Sequence, residues 1–311
     1  MDKLFEQYRK LLQETSIDFH RYMYAKINWN ARMIGITGPR GVGKTTLVLQ
    51  YIKEHLPTNE ALYVSAEDFY FADHRLQDLA DAFVKMGGKY LFIDEIHKYK
   101  DWSKELKLIY DYNASLHVVF TGSSVLDINK GASDLSRRAV MHHMQGLSFR
   151  EYLELFHHIP SRVFTMDELI AHQVSIPALE HPLPLFGNYL RKGYYPFALE
   201  VDYDLRLRQI ISQTLESDIP QYADMNVATG RKLKKLLAIM AKSVPFKPNF
   251  SSIASMLEAS RNNIADYCLY IEEAGLIAQL RDATGGIRGL GKVDKVYLDN
   301  TVAIGSISWR C

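Results

Sequence analysis

Cysteine is nearly absent: the 311 residues hold two, Cys268 and Cys311. That argues against a disulfide framework or a cysteine-built zinc site and agrees with a reducing, cytoplasmic compartment. No apolar run approaches the roughly eighteen residues of a membrane-spanning helix, so no membrane partner is expected. The start, Met1-Asp2-Lys3-Leu4-Phe5-Glu6, carries early acids and no apolar stretch, which argues against a secretory leader. An excess of one charge sign is also missing. The 37 Lys and Arg against 36 Asp and Glu give a net charge of +1, so the whole surface is not built to attract nucleic acid, while a local basic patch stays open. The histidine pairs His142-His143 and His157-His158 are chain neighbours, which do not face one ligand on a helix or strand, and are read as surface or core residues rather than metal ligands. Hydrophobic residues at 47% and charged residues at 23% fit a globular chain of two or three domains.

What is present is concentrated in one octapeptide, Gly38-Pro39-Arg40-Gly41-Val42-Gly43-Lys44-Thr45. It follows an apolar run, Met33-Ile34-Gly35-Ile36, and opens into the helical pattern Thr46-Leu47-Val48-Leu49. This is G-x-x-x-x-G-K-[ST] between a strand and a helix, the phosphate-binding P-loop. Glycines let backbone N–H groups converge without an obstructing Cβ, and the helix adds its positive end. Lys44 supplies a cation for β- and γ-phosphates, and the Thr45 hydroxyl is a Mg²⁺ ligand.

Fifty residues after Lys44, the buried-strand pattern Tyr90-Leu91-Phe92-Ile93 ends in Asp94-Glu95. Asp94 is placed to hold the magnesium shell near Thr45, and Glu95 to polarise an attacking water. That second acid favours hydrolysis over phosphoryl transfer to a small molecule.

Strands expected at 32–37, 61–65, 90–94, 117–121 and 140–145 alternate with helices at 45–55, 75–86 and 102–113. Such alternation predicts an α/β fold with a parallel sheet covered on both faces. A helix over residues 1–25, with Leu4, Phe5, Tyr8, Leu11 and Leu12 on one face, is expected to pack against it. Ser123, just past the fourth strand, is a candidate sensor of the γ-phosphate or the attacking water. Arg137 and Arg138 are candidate arginine fingers, acting in cis or across a subunit boundary of a homo-oligomer.

Residues 161–230 read as a helical lid and linker, with Pro177, Pro182 and Pro184 in the linker and a turn-rich run over 187–196. Residues 231–300 read as three helices (231–242, 251–257 and 261–274) and a β-hairpin, a winged helix, followed by a tail at 301–311. Ser260 is the expected N-cap of the third helix and Gly275 its stop. Arg261, Asn262 and Asn263 lie where a recognition helix meets base edges, and eleven Lys and Arg oppose six Asp and Glu over 231–295. DNA is therefore a candidate partner.

The segments TGPRGVGKTT (37–46), FIDEIHKYKDWSKELKLIYD (92–111), FTGSS (120–124), DLSRRAV (134–140), LSFREYL (147–153), YLRKGYYPFAL (189–199) and SDIPQY (217–222) together resemble the prokaryotic AAA+ ATPases related to the STAND and archaeal origin-recognition-like ATPases. The resemblance implies a sheet in the order 5-1-4-3-2, a helical lid, a C-terminal winged helix, and ATP with Mg²⁺ as ligands. It implies that Thr46 faces the α-phosphate, that Ser123 is the sensor, and that Gly38, Pro39, Arg40, Gly41, Val42, Gly43, Lys44 and Thr45 form the cradle. Relatives continue into a nuclease-like domain, whereas this sequence stops at Cys311, so that domain is either lost or cut off and nothing resting on it carries over.

The expected activity is a slow ATP-hydrolysing switch binding ATP and ADP. The alternatives are an ATP-regulated DNA-binding protein and a module that binds ATP without turnover. A GTPase is disfavoured, because Asn129-Lys130-Gly131-Ala132 lacks the carboxylate that reads guanine.

Overall fold

The computed structural model describes residues 1–123, 135–242, 245–281 and 293–299. Ser124, residues 129–132, the Ser133-Asp134 pair, the glycine-rich connection 284–291 and the tail 301–311 lie outside them.

The apolar runs β1 (Met33–Thr37), β2 (Ala61–Ser65), β3 (Tyr90–Asp94), β4 (His117–Gly122) and β5 (Val140–His143) form one parallel sheet in the order β2-β3-β4-β1-β5. This is the expected 5-1-4-3-2 read from the opposite edge. Every residue of β1 is buried, whereas edge strand β5 leaves Val140 and Met141 exposed. That difference follows from position, since an inner parallel strand is covered on both faces. The register pairs Ser65 with Asp94, Ile93 with Phe120, Thr37 with Gly122, and Thr37 with His143. The carboxyl ends of all five strands therefore come out at one edge, where ligands of such sheets bind.

Helices α2 (Lys44–His55), α4 (Leu76–Lys85) and α5 (Trp102–Tyr112) bury Leu47, Ile52, Leu79, Phe83, Leu106 and Ile109 in this core, with α3 (Tyr70–Asp73) a single turn between β2 and α4. The first helix is shorter than its apolar spacing suggests. Helix α1 covers Asp2–Glu14, burying Leu4, Tyr8 and Leu12, and the chain turns extended at Thr15. Residues 16–32 then run as turns along the sheet, held by Gln50, whose side-chain amide donates to the carbonyls of Ser16 (2.9 Å) and Phe19 (2.8 Å).

Beyond β5, α6 (Phe149–His157) and α7 (Met166–Ile170) each start with a capping box, Ser148 with Glu151 and Thr165 with Glu168. The expected proline-rich linker is in part helical: α8 covers Pro182–Lys192. Pro182 and Pro184 lie in its first turn, where no N–H is needed. Helix α9 (Tyr203–Gln213) passes through a π-helical turn, Thr214–Asp218, into Ile219–Tyr222. Pro220 lies just past that turn, and a proline that cannot donate to the ladder is a common cause of such a bulge.

Helices α10 (Val227–Ala241), α11 (Phe250–Met256) and α12 (Arg261–Glu273) precede an antiparallel pair, β6 (Ile277–Arg281) and β7 (Val293–Leu298). Ser260 caps α12 by accepting from the Asn263 amide, and Gly275 follows it at φ 72°. Helix α10 begins earlier than residue 231 because Gly230 sits inside it. A Cβ there would meet the Glu216 Cα at 2.9 Å and the Leu215 carbonyl oxygen at 3.1 Å, so α10 crosses the π-helical turn backbone to backbone. Gly230→Leu is expected to lower stability by about 1–3 kcal/mol or more, read as a shifted denaturant midpoint.

Candidate functional site

The loop between β1 and α2 takes its shape from residues that tolerate what others do not. Gly38, Gly41 and Gly43 have φ of 151°, 79° and 97°. A Cβ on Gly38 would meet the Met144 carbonyl oxygen at 2.1 Å. No side chain caps α2, so the amides of its first turn point into the loop's hollow without a side-chain acceptor.

Lys44 reaches into the same hollow. It is 5% exposed, and its ammonium donates to the carbonyls of Gly38 (2.9 Å) and Pro39 (3.0 Å) and to Ser123 Oγ (3.2 Å). All three partners are neutral. Burial pulls its pKa down, the charges of Glu95 and Asp94 offset part of that, and Arg40 adds to the depression. Among the described residues a buried cation so placed has no counter-ion in contact, and an anion is the chemistry that would complete it.

Asp94, at the end of β3, accepts three hydroxyls: Thr45 Oγ1 at 2.6 Å, Tyr63 at 2.7 Å, and Thr121 Oγ1. The Thr45–Asp94 pair joins the start of α2 to the end of β3, across the intervening β4, and offers the hard oxygens that a Mg²⁺ ion prefers. Glu95 follows in the left-handed region, φ 50°. Its carboxylate accepts from Ser123 Oγ at 2.5 Å and the Ser123 amide at 3.3 Å, and His97 Nδ1 lies 3.3 Å from it. Burial alone would raise the Glu95 pKa. The Lys44 charge, the Ser123 hydrogen bond, His97 and Arg40 outweigh that and hold it below the usual range, so the group stays a carboxylate.

Lys44, Thr45, Asp94, Glu95 and Ser123 thus converge. The arginines do not. Arg40 is in the loop, but its guanidinium turns to Asp218 of the π-helical turn at 3.4 Å. Arg138 is bidentate to Asp111 at the end of α5, both contacts at 2.9 Å, and Arg137 is exposed.

Sequence reasoning missed two features. Beside Thr46 and Leu47 lies a cavity of about 380 Å³, walled also by Phe19, Val42, Leu155 and Pro196, of a size and polarity that suit a flat heterocycle. At its edge is Arg21, 5% exposed. Arg21 Nε donates to Glu151 (2.8 Å), Nη2 to the carbonyls of Gln145 (2.7 Å) and Gly146 (2.9 Å), and Nη1 to the carbonyl of Val42. No motif marks Arg21. The one legible signal is Ser148-x-x-Glu151, which shows Glu151 capping a helix but not pairing across 130 residues.

Later segments close on the loop. The Phe197 ring faces Gly41, Gly275 abuts Pro39, and the Tyr194 hydroxyl donates to Asp299 at 3.0 Å.

Residues 30–153 match the model of the AAA domain. Residues 183–302 match a domain of unknown function (DUF8612). Among solved structures, the Walker-type ATPase PABY2304 of Pyrococcus abyssi aligns over 98% of this chain and 95% of its own at 11% identity and a TM-score of 0.53, so the two share a fold. A katanin self-assembly structure (16% identity, 55% of this chain and 63% of that one) and C. elegans PCH-2 (14%, 88% and 66%) both reach a TM-score of 0.33, too low to carry argument. No curated protein matches in sequence. The AAA-domain match supports an ATP-binding and ATP-hydrolysing function. No helix among the described residues is long and apolar enough to cross a membrane.

Two outcomes follow from these contacts. Tyr63→Phe removes one hydrogen bond to a buried carboxylate and is expected to cost about 1.5–3 kcal/mol in denaturant unfolding. Glu151 is held below its ordinary pKa of 4.5: burial opposes this, but the charge and hydrogen bond of Arg21 and the amides of Ser148 and Tyr22 prevail. A depressed carboxylate stabilises above its unfolded pKa and loses that contribution as pH falls. The melting temperature of the wild type should therefore drop more steeply below pH 4.5 than that of Glu151→Gln.

Proposed function

We propose that the chain is a Mg²⁺-dependent, ATP-hydrolysing switch of the AAA+ kind. The observation that carries this reading is the buried Lys44 ammonium, whose partners among the described residues are neutral, at an uncapped helix start with the acids Asp94 and Glu95 close by. Lys44 and the loop amides of residues 40–45 hold the β- and γ-phosphates, Thr46 faces the α-phosphate, and the base enters the 380 Å³ cavity. Thr45 and Asp94 hold Mg²⁺, which when bound neutralises charge on the phosphate oxygens. Glu95 accepts a proton from the attacking water, and Ser123 orients Glu95. Arg137 remains a candidate finger in trans on a neighbouring copy, and Arg138 is one only if Asp111 releases it.

The switching parts on this reading are a nucleotide domain (31–160) preceded by an N-terminal helix segment (1–30), a helical lid (161–230) and a winged helix (231–300). Arg40–Asp218 and Pro39–Gly275 join the cradle to the later segments, so nucleotide that moves the loop disturbs both contacts. Binding shifts the arrangement only by the difference in affinity between the two states. The cysteine-poor composition supports a reducing cytoplasm.

A second reading, DNA binding regulated by ATP, rests on Arg261, Asn262 and Asn263, which are exposed at the start of α12. It requires duplex affinity that falls steeply with salt, and no binding at low salt would end it.

Lys44→Ala is expected to abolish measurable nucleotide binding. Glu95→Gln is expected to keep ATP affinity while phosphate release slows by about 10²–10⁴. Wild-type turnover in Glu95→Gln would remove Glu95 from the mechanism.

A further inference from the structure

We infer that Arg21 is a positioning residue of the phosphate cradle, aiming a main-chain donor at the nucleotide without touching it. The inference rests on the nucleotide reading above. Its basis is the single peptide unit shared by Val42 and Gly43. In a trans peptide the carbonyl and the following N–H point in opposite directions. Arg21 Nη1 holds the Val42 carbonyl, so the Gly43 N–H is turned away from Arg21, a direction we take to be that of the hollow into which the neighbouring Lys44 ammonium reaches. Gly43 sits at φ 97° with no side chain to fix its orientation. The peptide is therefore set from outside, by a group anchored elsewhere.

That anchor is rigid. The Arg21 and Glu151 side chains are 5% and 3% exposed. Glu151 is itself held by the amides of Tyr22 (2.9 Å) and Ser148 (2.8 Å). The other guanidinium nitrogen holds the carbonyls of Gln145 and Gly146, just past β5. A planar fork with five donors meets a carboxylate and three carbonyls at once, which a lysine ammonium cannot reproduce. Removing one partner would strand a buried charge, so the informative change removes the pair together.

The test uses full-length R21M/E151Q, R21K and the wild type, with two ligands: Mg-ATP, and inorganic tripolyphosphate, which reads the cradle without the base cavity. The double variant is expected to unfold cooperatively while its Kd for both ligands rises about tenfold to a hundredfold, as for a lost hydrogen bond to a charged acceptor. R21K should fall between it and the wild type, and kcat at saturating ATP should change far less than KM. A purely structural role would lower the melting temperature and leave both Kd values at wild type, overturning the inference. So would weaker ATP binding with unchanged tripolyphosphate binding, which would put Arg21 on the base side. A wild type that binds neither ligand would instead end the nucleotide reading, and this inference with it.

Discussion

A positive charge kept out of water, held among the described residues by carbonyl and hydroxyl oxygens, sits at the centre of this molecule. The Lys44 ammonium is tolerated because Asp94 and Glu95 lie close enough to offset part of the burial cost. Those acids are held in turn by hydroxyls of Thr45, Tyr63, Thr121 and Ser123. The hydroxyls come from three elements: Thr45 from the start of α2, Tyr63 from β2, and Thr121 and Ser123 from β4 and the residue just past it. The parallel register that ends all five strands at one edge brings them together. Move one strand by a residue and Asp94 loses partners on both sides.

Much of this was legible because it is local. The glycine spacing before Lys44, the apolar run ending in Asp94-Glu95 and the strand–helix alternation are patterns within a few residues, and each maps onto one element. What failed was non-local or depended on context. The helix expected from residue 231 starts at Val227 and takes in Gly230, where only a residue without a Cβ lets the backbone of Leu215 and Glu216 pass so close. Pro182 and Pro184 read as linker residues, yet begin α8. Helix α1 ends at Glu14 because the next residues satisfy Gln50 and the sheet rather than their own ladder. Arg21 has no signature, since its four acceptors are scattered over more than a hundred residues.

The arginines show the same limit from the other side. Arg40, Arg137 and Arg138 all stand near the motifs that define the site, and proximity in sequence suggested roles at the phosphates. The side chains go elsewhere: Arg40 to the π-helical turn and Arg138 to α5. Arg21 is far from the loop in sequence and supports it in space. The loop is thus gripped by two guanidinium groups, one buried and paired, one partly exposed and joined to a segment 178 residues downstream.

Glu95 sits in a backbone region that a side chain with a Cβ enters at a penalty of about 1–2 kcal/mol. Asparagine or glycine would rest there more comfortably. A lineage of this protein that no longer had to cleave its nucleotide would feel that pull at every generation, and would be expected to drift to one of those residues at position 95 while leaving the octapeptide intact. On the proposed reading of Glu95 as the water-activating acid, the identity of this one residue across natural variants would separate copies still under selection for turnover from copies kept only for binding.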